Sequence, residues 1–288
     1  SNDGISRTLS RETPATQKLY RENSNQMHIV VIPSWYPRDP SDINGVFFRD
    51  QSLAMLERGH KVGVIAIHTK SIKECIGLRV KKKKIAKLEN DEGLITYRKE
   101  TWGLISKLIP WFPYAGYRTY SSAIIKLFGE YVKEHGLPDI IHAHAAIYAG
   151  ATCAILKQKF HVNYILTEHS TAYARKILYP WQMALAQRAA LLASDRIAVS
   201  RPLSKLLELE LPGCGVWEVV PNIVANRFHS YIESDYRGKK VHSGTVSVFL
   251  NLALMDEKKG QFDLLKAFAN AFRGDNNVEL WFGGDGPQ

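Results

Sequence analysis

The chain has 288 residues, 45% hydrophobic and 23% charged, a balance that excludes a disordered or collagen-like polymer and, at this length, favours two domains over one. Its 38 Lys and Arg against 28 Asp and Glu give +10, which suits an anionic partner such as a nucleotide diphosphate, an acidic lipid surface or nucleic acid. Cys75, Cys153 and Cys214 stand in no C-x-x-C spacing, and no apolar run reaches the ~20 residues of a membrane-spanning helix, so a reducing, cytoplasmic setting is expected.

Residues 1–26 are polar and without sustained periodicity, and read as a tag or loosely ordered leader. From Met27 the pattern alternates. Residues 29–32 are an apolar strand ended by Pro33-Ser-Trp-Tyr-Pro37, and a polar loop leads to Gly45. Val46, Leu53 and Leu56 then share a helical face, Arg58-Gly-His60 closes the helix, and residues 61–67 form the next strand. A helix that starts after glycine offers free N–H groups to an anion, so Gly45 is either a phosphate site or a plain turn residue.

Lys81 to Lys84 read as a solvated run. The aromatic stretch from Trp102 to Tyr120, with Lys107 and Arg118 inside it, suits either a core helix beside an acceptor pocket or attachment to an anionic membrane surface.

Asp139-Ile-Ile-His-Ala-His144 is the stretch around which the rest is arranged. In a strand over 140–144, the period-two alternation sends His142 and His144 to one side and Ile141 and Ala143 to the other. His144 then sits at a carboxyl end, where open parallel sheets bind ligands. An H-x-H pair can also ligate zinc, and a histidine near a strand end can serve only to cap a loop carbonyl, the second being the commoner case.

Residues 147–159 read as a helix and 163–167 as a strand that ends on Glu168-His169-Ser170. A helix over 180–193, a short strand over 196–199, a helix capped by Ser200 and a strand over 216–220 follow, with Pro221-Asn222 ending the last. This is a doubly wound α/β sheet over 27–225. Residues 226–245 lose the pattern and read as an interdomain connection. A second domain begins at 246: a strand over 246–255, Lys258-Lys-Gly260, a helix with Phe262, Leu265, Phe268 and Phe272 inward, a strand over 278–282, and Gly283-Gly-Asp-Gly-Pro287. One strand, helix and strand cannot cover both faces of a sheet, so this domain is expected to be cut short at Gln288.

In their order and spacing these pieces resemble the retaining glycosyltransferases of family 4, which have the GT-B fold of two facing Rossmann-like domains. The matching signs are Asn44-Gly45, Arg58-Gly-His-Lys-Val62, Asp139 to His144, Thr167-Glu-His169, Val199-Ser200, Val220-Pro-Asn222, Lys259-Gly260 and Gly284-Asp-Gly-Pro287. The resemblance implies that Gly45 lies near a donor or acceptor phosphate and that His144 contacts the transferred sugar. It implies that Lys259, with the helix N-terminus after Gly260, neutralises the leaving diphosphate. His142, His169, Asn222, Gly284 and Gly286 are the further substrate contacts implied. A diphosphate would thus lie in a cleft between two sheets, with the lysine on one wall and the imidazole on the other. No metal and no cofactor is expected.

The chain departs from the family pattern at Ala253-Leu254, where Gly-Arg is common, at Ile223-Val-Ala225, where Gly-Val-Asp is usual, and at Ala145, where an aromatic is frequent. With one phosphate-binding cation missing, weak donor binding and low turnover are expected. The function implied is transfer of a sugar from a nucleotide diphosphate sugar to a carbohydrate or lipid-linked acceptor, in cell-envelope, capsular or exopolysaccharide synthesis. The enzyme would be cytoplasmic, with possible contact to an anionic membrane surface and no nucleic acid. The alternatives are a nucleotide-sugar epimerase of the same fold, a basic protein that binds membrane surfaces or nucleic acid, and a metal hydrolase using His142, His144 and His169.

Overall fold

The computed structural model describes residues 26–39, 42–70, 87–102, 114–225 and 246–286. The lysine run at 81–84, most of the aromatic stretch (103–113), nearly all of the leader and the 226–245 connection lie outside them. The chain divides into two compact units, Ser1–Ala225 and Asn226–Gln288.

Among the described residues the first unit is a sheet of eight strands: β1 (His28–Pro33), β2 (Lys61–Lys70), β3 (Lys87–Asp91), β4 (Leu94–Trp102), β5 (Ile140–His144), β6 (Tyr164–Glu168), β7 (Asp195–Ala198) and β8 (Glu218–Val219). They lie in the order β3-β4-β2-β1-β5-β6-β7-β8, with every pairing parallel except β3 with β4. The order reverses between β1 and β5. From β1 the chain runs outward to β2, and it later returns to build β5 to β8 on the other side. In sheets of this kind the crevice for ligands opens at that reversal, outside the carboxyl ends of the two strands.

Among the described residues five helices join the strands: α1 (Val46–Glu57), α2 (Ala115–His135), α3 (Ala151–Phe160), α4 (Pro180–Leu192) and α5 (Arg201–Glu210). The strand alternation sorts the core into two layers. Ile29, Val31, Val62, Val64 and Leu94 pack with Phe48 of α1 on one face. Val30, Ile32, Ile65, Ile141 and Ala143 pack with α2, α3 and α4 on the other. His142 and His144 alternate with Ile141 and Ala143 and therefore point to the α1 face.

Two glycines allow the second layer to close. A Cβ on Gly63 of β2 would lie 2.4 Å from the hydroxyl of Tyr131 on α2, and one on Gly150 would lie 2.9 Å from Leu166. Tyr117 and Tyr120, the last residues of the aromatic stretch, are buried in this layer on α2, so they serve the core rather than a surface. Tyr114, ahead of them, is exposed and stacks edge-on against Trp181.

The strand expected over 216–220 shrinks to Glu218–Val219. Among the described residues it is the sheet's last strand, paired with β7 alone, and Val216 is 74% exposed.

The second unit pairs β9 (Ser247–Leu252) and β10 (Val278–Gly283) in parallel, with α6 (Gln261–Ala271) between them in sequence. Phe249, Phe268 and Phe272 form its aromatic centre, with ring centroids 4.9 to 5.6 Å apart. Phe262 and Leu265 do not join them. They are 65% and 48% exposed, because a helix of three turns against two strands covers only one stripe of its surface.

Candidate functional site

At the reversal the two strand ends are bonded to each other. Pro33 lies in register with His144, and the Ser34 amide donates to the His144 carbonyl at 3.1 Å. The Ser34 hydroxyl accepts from the Ala149 amide at 3.0 Å, and the Tyr120 hydroxyl donates to the Pro33 carbonyl at 2.8 Å. The loop after β1 is thereby fixed to β5 and to the turn that follows it. Further along, Arg98 donates to the Pro37 carbonyl and lies over the Tyr36 ring, while Asp42 accepts from the amides of Arg38 and Asn44.

Gly45 ends this loop with φ 78° and begins α1. A Cβ there would fall 3.0 Å from Trp35 and 3.1 Å from the Phe48 ring, so the position requires glycine for its backbone and for space. One helical turn on, Phe48 stacks on His144 at 4.7 Å and on His169 at 5.0 Å.

His144 reaches the expected strand end but does not line an open crevice: none of its surface is exposed. Phe48 closes over it from α1, with Phe47 stacked on His169 beside it. Nδ1 of His144 and Nε2 of His169 are 3.1 Å apart and share one proton. The His142 ring lies 4.1 Å from that of His144, and its Nε2 bonds the Thr167 hydroxyl at 2.8 Å. Burial holds His142 and His169 down to about 4, and His144 well below the ordinary imidazole range, its two histidine neighbours adding to the effect. All three rings are neutral at pH 7. Among the described residues, no group of three or more His, Cys, Asp or Glu has the arrangement of a metal site, these three histidines included.

Glu168 is the residue that sequence reasoning undervalued, placing it in a motif without a role. It is wholly buried at the end of β6. Its Oε2 accepts from the Ala146 amide at 2.8 Å and the Tyr173 hydroxyl at 3.2 Å, and its Oε1 from the amides of His169 and Ser170, each at 2.8 Å. One carboxylate therefore ties the loop after β6 to the turn after β5. Burial pushes its carboxyl up and these four donors pull it down, with burial the larger.

Ala145 sits between His144 and that turn with φ 71° and ψ 134°, a conformation sparsely populated by any residue with a Cβ. Its N–H donates to the Thr167 carbonyl and its carbonyl accepts from Gly150, closing a single π turn over Ala146–Gly150 ahead of α3. Such turns recur where a backbone must re-aim itself beside a site.

His142, His144 and His169 thus form one contiguous group, to which Gly45 is linked through Phe48. Asn222 does not join it: it is exposed beyond β8, at the margin of the sheet three strands from β5. In the second unit, Lys259 is exposed on a 3-10 turn (Glu257–Lys259), and Gly260, with φ 70°, opens α6. Gly284 and Gly286 have a packing reason of their own. A Cβ on either would fall within about 2.1 Å of the Ala253 or Met255 carbonyl oxygen, because residues 283–285 run on beside 253–255. Pro287 lies outside the described residues.

The sequence model of the family described as Glycosyltransferase Family 4 matches residues 45–225, from the glycine that opens α1 to the end of the first unit. No curated protein sequence matches the chain. Among solved structures, the catalytic domain of starch synthase IV from Arabidopsis thaliana, bound to ADP and acarbose, aligns with a TM-score of 0.57 at 12% identity, over 92% of this chain and 69% of that one. HepE of Anabaena, in complex with UDP, aligns with 0.57 at 13% identity, over 90% and 61%. The α,α-trehalose 6-phosphate synthase of Burkholderia multivorans aligns with 0.54 at 12%, over 89% and 65%. At such identities the likeness is one of fold, and the fold is that of the GT-B glycosyltransferases. The chain spans 61% to 69% of the length of these three proteins.

Proposed function

Because the chain belongs to glycosyltransferase family 4, we propose that it transfers a sugar from a nucleotide diphosphate sugar to a carbohydrate or lipid-linked acceptor, with retention of configuration. The observation that carries the reading is the position of the family's segment on the fold. It begins at Gly45 and includes the ends of β5 and β6, so its histidines on β5 fall at the reversal of strand order, with Glu168 and His169 on the adjoining strand end. That is where an α/β sheet of this kind takes a ligand.

In the proposed reaction the acceptor hydroxyl attacks the anomeric carbon on the face from which the diphosphate departs, and its proton passes to the leaving phosphate oxygen. Charge accumulates on that diphosphate. The exposed Lys259 and the amides at the start of α6 are suited to stabilise it, and no metal or cofactor is assigned a step. His144, neutral and capped by Phe48, is suited to hold a sugar hydroxyl rather than to take its proton; contact requires the Phe48 ring to swing aside.

The acceptor is proposed to belong to cell-envelope, capsular or exopolysaccharide assembly on the cytoplasmic side. The charge of +10 and the exposed Tyr114 and Tyr179 favour contact with an anionic membrane surface. No helix of the described residues is long and apolar enough to cross a membrane.

The test is release of nucleoside diphosphate from UDP- and ADP-linked hexoses with acceptor present. Lys259→Ala is expected to lower kcat about a hundredfold, the scale of removing one preorganised charge-stabilising group. His144→Ala is expected to lower kcat/KM by about tenfold. A double variant as active as the parent overturns the assignment, and interconversion of the donor without acceptor replaces it with an epimerase.

A further inference from the structure

The bond between His144 and His169 constrains both rings at once. Only one proton can lie between Nδ1 of His144 and Nε2 of His169. If His144 donates it, its own Nε2 is bare, and neutral His169 must carry its proton on Nδ1. If His169 donates it, His169 Nδ1 is bare and His144 carries its proton on Nε2. Either way the two rings have the same tautomer, both Nδ1–H or both Nε2–H.

The outer nitrogens, His144 Nε2 and His169 Nδ1, are buried and have no hydrogen-bond partner. One is always a donor when the other is an acceptor. A buried polar atom left unsatisfied is costly, most of all in His144, whose whole side chain is buried, and it marks a place where a ligand atom completes the bonding.

We propose that His169 is the positioning residue of His144: through the shared proton it fixes which tautomer His144 presents, so that Nε2 meets a hydroxyl of the sugar without the pair becoming charged. The surroundings favour this division of labour. His169 is held in place by the amide bonds that Glu168 makes around it and by stacking on Phe47 and Phe48, while His144 is fixed by β5. His142, the remaining imidazole in contact, is occupied by Thr167 and takes no part in the relay. The sugar as the hydroxyl's source rests on the reading of the chain as a glycosyltransferase, whereas the coupling of the tautomers does not.

Protein labelled with 15N at histidine reports the tautomer of each ring through its long-range nitrogen–proton couplings. In the unmodified chain, His144 and His169 are expected to show the same tautomer. In His169→Phe, which keeps a ring and removes both nitrogens, the tautomer of His144 is expected to change or become mixed. With hexose transfer as the second readout, His169→Phe is expected to raise the donor KM about three- to tenfold with little change in kcat, the signature of lost uniform binding. His169→Gln, whose amide reaches the same place, is expected to restore most of the loss. Opposite tautomers in the unmodified chain overturn the proposal, as does a His169→Phe variant with unchanged KM. Should His169→Phe not fold, the unmodified spectrum and His169→Gln still decide. Matched tautomers in a protein that transfers no hexose sink the glycosyltransferase reading and leave the coupling standing.

Discussion

Two backbone positions carry opposite solutions to one steric problem. Gly45 and Ala145 both have positive φ, at 78° and 71°, and both border the histidine group, yet only one is a glycine. Ala145 keeps a Cβ in a region where strain is on the order of 1–3 kcal/mol. The bonds on both sides of its peptide, to Thr167 and Gly150, hold it there. Ala145→Gly should relieve that strain, offset by roughly 0.5–1 kcal/mol of backbone entropy, for a net gain of about 1 kcal/mol. Gly45→Ala should lose about 2 kcal/mol, from the handed backbone penalty together with the approach to Trp35 and Phe48. Urea unfolding of the two variants beside the parent measures both; a stabilised Gly45→Ala would contradict the account. At this scale the sequence exposed the residue types and their side of the strand, since alternation alone puts His142 and His144 on one face. It could not expose the burial of His144, because the ring that covers it, Phe48, comes from a different element 96 positions earlier.

Among the elements, α2 shows how packing overrides local signals. Tyr117, Tyr120, Ile124, Leu127, Phe128 and Tyr131 recur at helical spacing on its buried face. Read from sequence, the prolines at 110 and 113 and the run of aromatics drew attention to the start of this segment, and its helical continuation to His135 was not anticipated. The β3–β4 hairpin was missed for a different reason. Lys87–Asp91 reads K-L-E-N-D, with one apolar residue in five, and it becomes a strand only because β4 offers an edge to pair with. The buried strand β1 was legible as a continuous apolar run of the kind covered on both faces, and β5 and β6 as shorter apolar runs that end in polar residues. Gly63 gives this scale its prediction. Gly63→Ala should destabilise the first unit by about 1–3 kcal/mol by overpacking against the Tyr131 ring. Combining it with Tyr131→Leu should cost less than the sum of the two single changes, and strict additivity in that cycle would refute the contact.

For the whole molecule the buried imidazoles set the response to acid. His142 and His169 titrate at about 4 when folded and near 6.5 when exposed by unfolding, and burial holds His144 well below the ordinary imidazole range as well. Between those limits the unfolded chain takes up protons that the folded chain refuses. Stability present above pH 6.5 is therefore lost as pH falls toward 4, by about 1.4 kcal/mol per pH unit for each ring. Glu168 acts in the opposite sense over the interval just above its ordinary value, where its raised carboxyl retains a proton in the folded state, so it offsets part of the loss. The urea midpoint is expected to drop steeply between pH 6.5 and 5 and to drop less in His169→Gln; a flat profile would mean that the rings take up protons without unfolding.

The margins of the eight-stranded sheet have a bearing on how copies of the protein meet. On one side the sheet finishes in the short, charge-bearing β3, laid antiparallel to its neighbour, and on the other in the two residues of β8. Neither offers a long, flat row of amides and carbonyls on which a second molecule could zip its own strand. Among the described residues, then, neither margin supplies a template for self-association that extends this sheet from copy to copy, the usual opening move of fibril growth.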